Sequence, residues 1–140
     1  MSIAPLFVDS SAFYALADRH DASHRLATQR WEAVVKAKRP LVTSLAVAAE
    51  TATLVRRSLG FDAVQAWLDQ LDRARLVGAI ELAFLAEREY ALARDLYRQL
   101  AQPKLSFVDA LSFSVMTLRG IHTCFGFDED FLSAGFALYE

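Results

Sequence analysis

Short apolar runs that alternate with longer amphipathic stretches constrain the fold of this chain most. The runs cover residues 6–8, 41–43, 76–80 and 123–125, and a last short one covers residues 137–139. Runs of this kind are typical of strands buried on both faces, as in parallel sheets. Apolar side chains recur at helical spacing over residues 22–38, 45–59, 61–72, 82–100 and 106–119. The pattern predicts a three-layer α/β/α fold with a mostly parallel sheet of four to five strands.

Length and composition narrow the class of protein further. A chain of 140 residues with 54% hydrophobic residues is expected to form a single domain over residues 1–140. No apolar run approaches the length of a membrane span, so no membrane partner is expected. The single cysteine, Cys124, has no partner for an intrachain disulfide, which favours a reduced, cytoplasmic setting. A net charge of −2 excludes a broad phosphate-attracting field, so any nucleic-acid contact is expected to be local.

Four carboxylates stand in apolar surroundings. Asp9 follows the first run, Glu50 lies on the apolar side of its helix, Asp109 follows two apolar residues at a helix start, and Asp128 follows the fourth run. An acid buried in such places is costly unless it is paired, hydrogen-bonded or bound to a cation. Ligands of open parallel sheets gather at the carboxyl ends of the strands. We therefore expect one shared site that binds magnesium or manganese.

Phosphodiester hydrolysis is the chemistry that best suits such a site. Divalent ions orient and activate a water there, so a protein nucleophile is not required. The three histidines, His20, His24 and His122, show no metal-ligand spacing, and there is no phosphate-cradling glycine loop. The carboxylates remain the candidate catalytic groups.

Each acid also has a structural interpretation. Asp9 would cap the first helix, and Asp109 would form a capping box with Ser106. Glu50 would pair with an arginine from another helix, and Asp128 would belong to a solvated acidic loop. The occurrence of all four in one chain favours the shared site.

The chain resembles PIN domains and, within them, the VapC-type toxins of toxin–antitoxin pairs. The resemblance spans nearly the whole chain. It is carried by four motifs in order: Phe7-Val8-Asp9-Ser10-Ser11, Ala49-Glu50-Thr51, Leu105-Ser106-Phe107-Val108-Asp109-Ala110 and Phe127-Asp128-Glu129-Asp130-Phe131.

The resemblance implies a metal-dependent endoribonuclease, the toxin of a type II pair. Its catalytic, metal-binding acids would be Asp9, Glu50, Asp109 and Asp128, with Mg²⁺ or Mn²⁺ as the cofactor. Asp130 would be an auxiliary ligand, an outer group or a loop charge. The resemblance also implies RNA as substrate, a homodimer, and a cognate antitoxin whose C-terminal segment covers the site. An arginine of the antitoxin would bind among the acids, and a helix of the antitoxin would fill an apolar groove.

Other readings stay open at this point. One is a PIN-type RNA-processing nuclease without an antitoxin, and another is a non-catalytic PIN-like binding module. An aspartyl-phosphate phosphatase would need a second aspartate two residues after Asp9, where Ser11 stands.

Several polar and aromatic residues have a less specific interpretation. Ser10 and Ser11 are expected mainly to cap the first helix. Trp31 and Trp67 lie at core spacing and are expected to pack in the core or at a dimer interface, not to stack on bases. The candidates for RNA contact are the basic residues Arg19, His20, Arg25, Arg56, Arg57, Lys104 and Arg119.

Overall fold

The computed structural model describes residues 3–140, which form a five-stranded sheet and seven helices. The strands are β1 (Leu6–Val8), β2 (Leu41–Ser44), β3 (Ile80–Ala83), β4 (Thr123–Phe125) and β5 (Ala137–Leu138). The helices are α1 (Ser10–Ala17), α2 (His24–Lys36), α3 (Leu45–Leu59), α4 (Phe61–Leu76), α5 (Glu87–Gln99), α6 (Phe107–Arg119) and α7 (Asp130–Ser133). All four strand pairs are parallel, which confirms the predicted α/β class.

The sheet order is β3-β2-β1-β4-β5, with β1 at the centre. Leu6, Phe7 and Val8 are fully buried, as expected for a strand covered on both faces. The strand order reverses between β1 and β4, so the loops after these two strands leave the same edge of the sheet side by side. Such a reversal is where open α/β sheets bind ligands.

Local capping signals set the start of the helices near this edge. The Ser44 hydroxyl accepts a hydrogen bond from the Val47 amide at 3.1 Å, which confirms the predicted cap of α3. Gly60, with φ of 97°, ends that helix as predicted. Ser106 and Asp109 form a reciprocal capping box at the start of α6.

Helix α6 is held at both ends. The Phe107 ring packs edge-on against Tyr90 and Tyr97 of α5, with centroid distances of 6.0 and 5.4 Å. At the other end, Arg119 pairs with Glu81 of β3 at 2.7 Å. These contacts fix the position of the first turn of α6 at the sheet edge.

The third strand differs from the prediction. The apolar run at residues 76–80 was expected to be a strand, but α4 continues to Leu76 and the strand begins at Ile80. Leu76 and Val77 are 87% and 78% exposed, and Gly78, at φ of 75°, makes the turn. Pairing of Ile80 with Leu41 sets the register, and a local run of apolar residues does not contain that information. Because residues 80–83 pair with β2 as a strand, α5 begins at Glu87 and not at residue 82. The short helix α7 was not predicted.

Both tryptophans pack as predicted. Trp67 is 8% exposed and meets the Phe13 ring edge-on at 5.3 Å, while Trp31 lies 6.2 Å from the Phe125 ring. Cys124 is buried and free. Among the described helices, none combines the length and apolar character that crossing a bilayer requires.

Candidate active site

An acid-lined cavity lies at the carboxyl ends of β1 and β4. Its volume is about 470 Å³, and we call it the acidic cavity. Asp9, Glu50, Asp109 and Asp128 all line it, although they come from four separate segments of the chain. The remaining lining residues are Ser10, Ser11, Tyr14, Asp21, Ser23, Leu54, Ser106 and Phe127.

Asp9 is the deepest of the acids, at 2% exposure. It is the N-cap of α1, and its Oδ2 accepts hydrogen bonds from the Ser11 amide at 3.3 Å and the Ser11 hydroxyl at 2.8 Å. Its Oδ1 is buried without a hydrogen-bond partner among the described residues. Burial raises the pKa of this carboxyl, although the hydrogen bonds from Ser11 oppose the shift. Asp9 therefore caps the helix, lines the cavity and keeps one buried carboxylate oxygen without a partner among residues 3–140.

The Ser11 hydroxyl joins the loops after β1 and β4. It donates to Asp9 and accepts from the Phe127 amide at 2.9 Å, across 116 positions of sequence. Gly126 makes this approach possible, because a Cβ there would lie 3.0 Å from Ser11 Oγ and 3.1 Å from Asp9 Cβ. The loop that carries Asp128 is thus tied to the end of the central strand.

Glu50 is held by Ser10. The Ser10 hydroxyl donates to Glu50 Oε2 at 2.7 Å, and among the described residues Glu50 forms no salt bridge. The structural alternative, an arginine partner for Glu50, is therefore wrong for residues 3–140. The capping role favoured for Ser10 and Ser11 is also wrong, because Asp9 is the cap and both hydroxyls bind carboxylates.

Asp109 lies in the first turn of α6, at 8% exposure. Its Oδ2 accepts from the Ser106 amide at 3.2 Å, and its own amide donates to the Ser106 hydroxyl at 3.1 Å. Burial raises the pKa of Asp109 to about 6, and the charges of Asp128 and Asp9 add to the shift against the Ser106 hydrogen bonds. The capping interpretation of Asp109 is confirmed, and the same side chain lines the acidic cavity.

Asp109 and Asp128, which line the cavity, form a close group with Asp130, which does not line it. One carboxylate oxygen of each of the three lies within 4.8 Å of the others. The Asp130 amide donates to Asp128 Oδ1 at 2.9 Å, which orients the Asp128 side chain. Partial burial raises the pKa of Asp130, and the Asp128 charge raises it further.

The donor set suits a hard cation. Three clustered carboxylates repel one another, and the buried free oxygen of Asp9 lacks a proton donor. A divalent cation with oxygen ligands neutralises such a cluster and satisfies such an oxygen. Asp9 and Glu50 line the same cavity without belonging to the compact group of three. The spatial convergence of the acids is observed, and their roles in catalysis and metal binding stay predictions.

Sequence reasoning missed part of the cavity wall. Tyr14 lines it one helical turn after Ser10, and its hydroxyl donates to Asp18 Oδ2 at 2.8 Å. The four-residue spacing from Ser10 was an available signal. None of the basic residues predicted to contact RNA lines the cavity. Phe127 does line the cavity. The sequence did not indicate this, because Phe127 stands in the apolar run Phe125-Gly126-Phe127, which is typical of buried residues.

The fold and cavity define a three-layer α/β protein with an acid-lined site at its strand ends. Residues 6–137 match the PIN domain, and the chain belongs to the PIN domain family. Among curated proteins it is similar to the 23S rRNA-specific endonuclease VapC20 of Mycobacterium tuberculosis. The two are 37% identical over 139 residues, which cover 94% of this chain and 95% of the relative.

Solved structures show the same fold. The crystal structure of M. tuberculosis VapC20, a Sarcin-Ricin loop cleaving toxin, aligns with a TM-score of 0.81 at 33% identity, covering 94% of this chain and 96% of that one. VapBC2 from Rickettsia felis, bound to a promoter DNA fragment, aligns at 0.69 with 17% identity, covering 96% and 97%. FitAcB from Neisseria gonorrhoeae aligns at 0.65 with 15% identity, covering 96% of each chain. At these lower identities the last two similarities concern the fold alone.

Proposed function

We propose that this chain is a metal-dependent endoribonuclease, the toxin of a type II toxin–antitoxin pair. The observation that carries the proposal is the convergence of Asp9, Glu50, Asp109 and Asp128 on one acidic cavity, together with an Asp9 oxygen that is buried without a partner among residues 3–140. The similarity to a 23S rRNA-specific endonuclease over 94% of the chain supports RNA as the substrate. The sarcin–ricin loop of 23S rRNA is the first substrate to test, since the similar protein VapC20 is a Sarcin-Ricin loop cleaving toxin.

The residues present fit Mg²⁺ or Mn²⁺. Asp109 and Asp128 would hold the ion, with Asp130 as an auxiliary ligand beside Asp128 and Asp9 as a further oxygen donor of the same cavity. When bound, such an ion supplies an activated water and stabilises charge on the phosphate oxygens.

Glu50 would act on the attacking water. The Ser10 hydroxyl occupies its Oε2, and no described residue donates to its Oε1. That oxygen would accept a proton from the water that attacks phosphorus. Ser10 and Ser11 would hold Glu50 and Asp9 in position, so each acid faces the cavity in a single orientation.

The central experiment compares acid-to-amide variants in RNA cleavage. Asp9→Asn and Asp109→Asn keep the shape of each side chain and remove its charge, so we expect cleavage with Mg²⁺ or Mn²⁺ to be abolished. Asp95→Asn is a matched control, because its side chain is 63% exposed on α5 outside the cavity. Calorimetric titration with Mn²⁺ alone should show weaker binding for Asp109→Asn and unchanged binding for the control.

RNA cleavage, RNA binding and growth on expression together separate the alternatives. Full cleavage by both variants would contradict the catalytic assignment. A wild-type chain that binds RNA without cutting it would favour a non-catalytic PIN-like binding module. Cleavage without growth arrest on expression would favour an RNA-processing nuclease that has no antitoxin.

An apolar groove supports the antitoxin as partner. It has a volume of about 830 Å³ and lies between α1, α2, α3 and α4, with Phe13, Trp31, Val35, Leu59 and Trp67 among its lining residues. Phe13 lines the groove, and the next residue, Tyr14, lines the acidic cavity. An amphipathic antitoxin helix in the groove would therefore bring its following segment, with an arginine, to the acids.

The remaining assignments follow from the toxin proposal. We propose that the chain works as a single domain, as a homodimer and in the cytoplasm, where its RNA substrate is made. Light scattering coupled to gel filtration measures the oligomeric state directly.

A further inference from the structure

The acidic cavity has an aromatic edge backed by a cation. Phe127 is half-buried and lines the cavity directly before Asp128. The guanidinium carbon of Arg30, from α2, lies over the Phe127 ring at 5.7 Å from its centroid. Such a contact orients both groups through the ring quadrupole.

Arg30 carries its charge without a carboxylate partner. The salt bridges among residues 3–140 use Arg75, Arg88, Arg98 and Arg119, and Arg30 is absent from them. Arg30 is also half-buried, so its charge is less screened than that of a fully exposed arginine. A planar cation held in place beside a cluster of acids remains available for an anion.

An RNA strand that binds at the acidic cavity requires a nearby positive charge to offset the charge of the acids. The phosphodiester backbone is repelled by the five acids that line the cavity, and a bound metal ion offsets that repulsion only at its centre. Phe127 lines the cavity beside Asp128, and the Arg30 guanidinium lies against the Phe127 ring. Aromatic rings bind bases of any sequence by stacking, and arginine binds phosphate with two parallel hydrogen bonds.

We propose that Phe127 and Arg30 form a nucleotide subsite next to the cleaved bond. The inference rests on the proposed ribonuclease function and deepens it. The face of the Phe127 ring opposite Arg30 stacks on the base of the neighbouring nucleotide, and Arg30 pairs with an adjacent phosphate. Both are substrate-positioning residues, and the subsite sets where the strand lies relative to Asp9 and Asp109.

The test measures RNA binding separately from cleavage. The probe is a fluorescent RNA hairpin with the 23S rRNA sarcin–ricin loop, bound to the inactive Asp9→Asn chain in Mg²⁺ and followed by anisotropy over a series of salt concentrations. Adding Arg30→Ala should weaken binding at least fivefold. It should also reduce the slope of log affinity against log salt by about 0.7 to 0.9, the loss of one phosphate contact. Arg30→Lys should retain the slope.

Phe127 is tested by a variant that keeps its packing. Phe127→Leu removes the ring and retains an apolar side chain, so we expect about tenfold weaker binding with an unchanged salt slope. In the active chain, Arg30→Ala and Phe127→Leu should raise KM more than they lower kcat. Lys36 is exposed in the last turn of α2, so Lys36→Ala is the matched control. It should change neither the affinity for the hairpin nor the KM for cleavage.

The outcomes separate two failures. A hairpin that the wild-type chain does not cleave would contradict the proposed substrate and not the geometry of the subsite. If the hairpin is cleaved, unchanged affinity and salt slope in Arg30→Ala would overturn the subsite. Lower melting temperatures of Arg30→Ala and Phe127→Leu without any change in binding would overturn it as well, because the contact would then serve only the fold.

Discussion

The Ser10 hydroxyl lies 2.7 Å from Glu50 Oε2 and joins two residues that are 40 positions apart. Ser10 follows the central strand, and Glu50 lies on α3, so this hydrogen bond fixes one acid of the cavity to the sheet edge. A hydrogen bond to a charged acceptor is worth about 1.5–3 kcal/mol. The position of Glu50 therefore depends on a residue that bears no charge itself.

Ser10→Ala should lower kcat for RNA cleavage about tenfold or more. The variant frees Glu50 to rotate away from the attacking water, and about 1.4 kcal/mol corresponds to a factor of ten in rate. Steady-state kinetics on the RNA hairpin measures the effect. Thr53→Ala is the control, because the Thr53 hydroxyl bonds only a backbone carbonyl on the exposed side of α3. Equal kcat in both variants would show that Ser10 does not position Glu50.

Gly126→Ala should weaken metal binding at the acidic cavity as well as lower the stability of the fold. A Cβ at Gly126 would lie 3.1 Å from Asp9 Cβ and 3.0 Å from Ser11 Oγ, so the two loops must separate. Overpacking of this kind costs about 1–3 kcal/mol, measured by urea unfolding. Calorimetry should also show weaker Mn²⁺ binding.

Gly135→Ala is the control for that prediction. Its φ of 96° makes alanine strained, but nothing lies within 4 Å of the new Cβ. It should lose stability and retain Mn²⁺ affinity. An equal loss of affinity in both variants would attribute the effect to general destabilisation.

The stability of the metal-free chain should fall as the pH rises. Burial raises the pKa of Asp109 from 3.8 to about 6, so the folded state favours the protonated carboxyl. This contribution to stability is present when the group is protonated and is lost as the pH rises through about 6. Asp109→Asn removes the titration and should be more stable than wild type at pH 7.5 in EDTA. The difference in urea unfolding midpoint should shrink toward pH 4, and a constant difference would contradict this origin.

Val35→Lys should leave RNA cleavage intact and prevent the antitoxin from neutralising the toxin. Val35 lines the apolar groove and is 55% exposed, so lysine is tolerated in the fold but blocks an apolar helix. We expect full RNA cleavage, with growth arrest that the co-expressed antitoxin no longer relieves. Leu26→Lys, 42% exposed on the same helix and outside the groove, should remain neutralised. Neutralisation of both variants would place the antitoxin elsewhere.

Much of the architecture is predictable from local pattern. Short apolar runs indicate parallel strands because both faces of such strands are buried, and β1, β2, β4 and β5 form where the runs stand. Caps are readable for the same local reason, since Ser106 and Asp109 satisfy backbone groups three residues apart. The third strand was misplaced because a run of apolar residues does not define which of them pairs with β2.

The sequence by itself determined the α/β class, the central strand and the set of acids that apolar surroundings make costly. Tertiary structure alone decided which polar groups meet them: Ser10 with Glu50, Ser11 with the Phe127 amide, and Arg30 with the Phe127 ring. The physical reason is that periodicity determines which face of a strand or helix is buried, because burial depends on neighbours a few residues away. Contacts across 40 or 116 positions depend on the path of the whole chain, which only the packed fold defines.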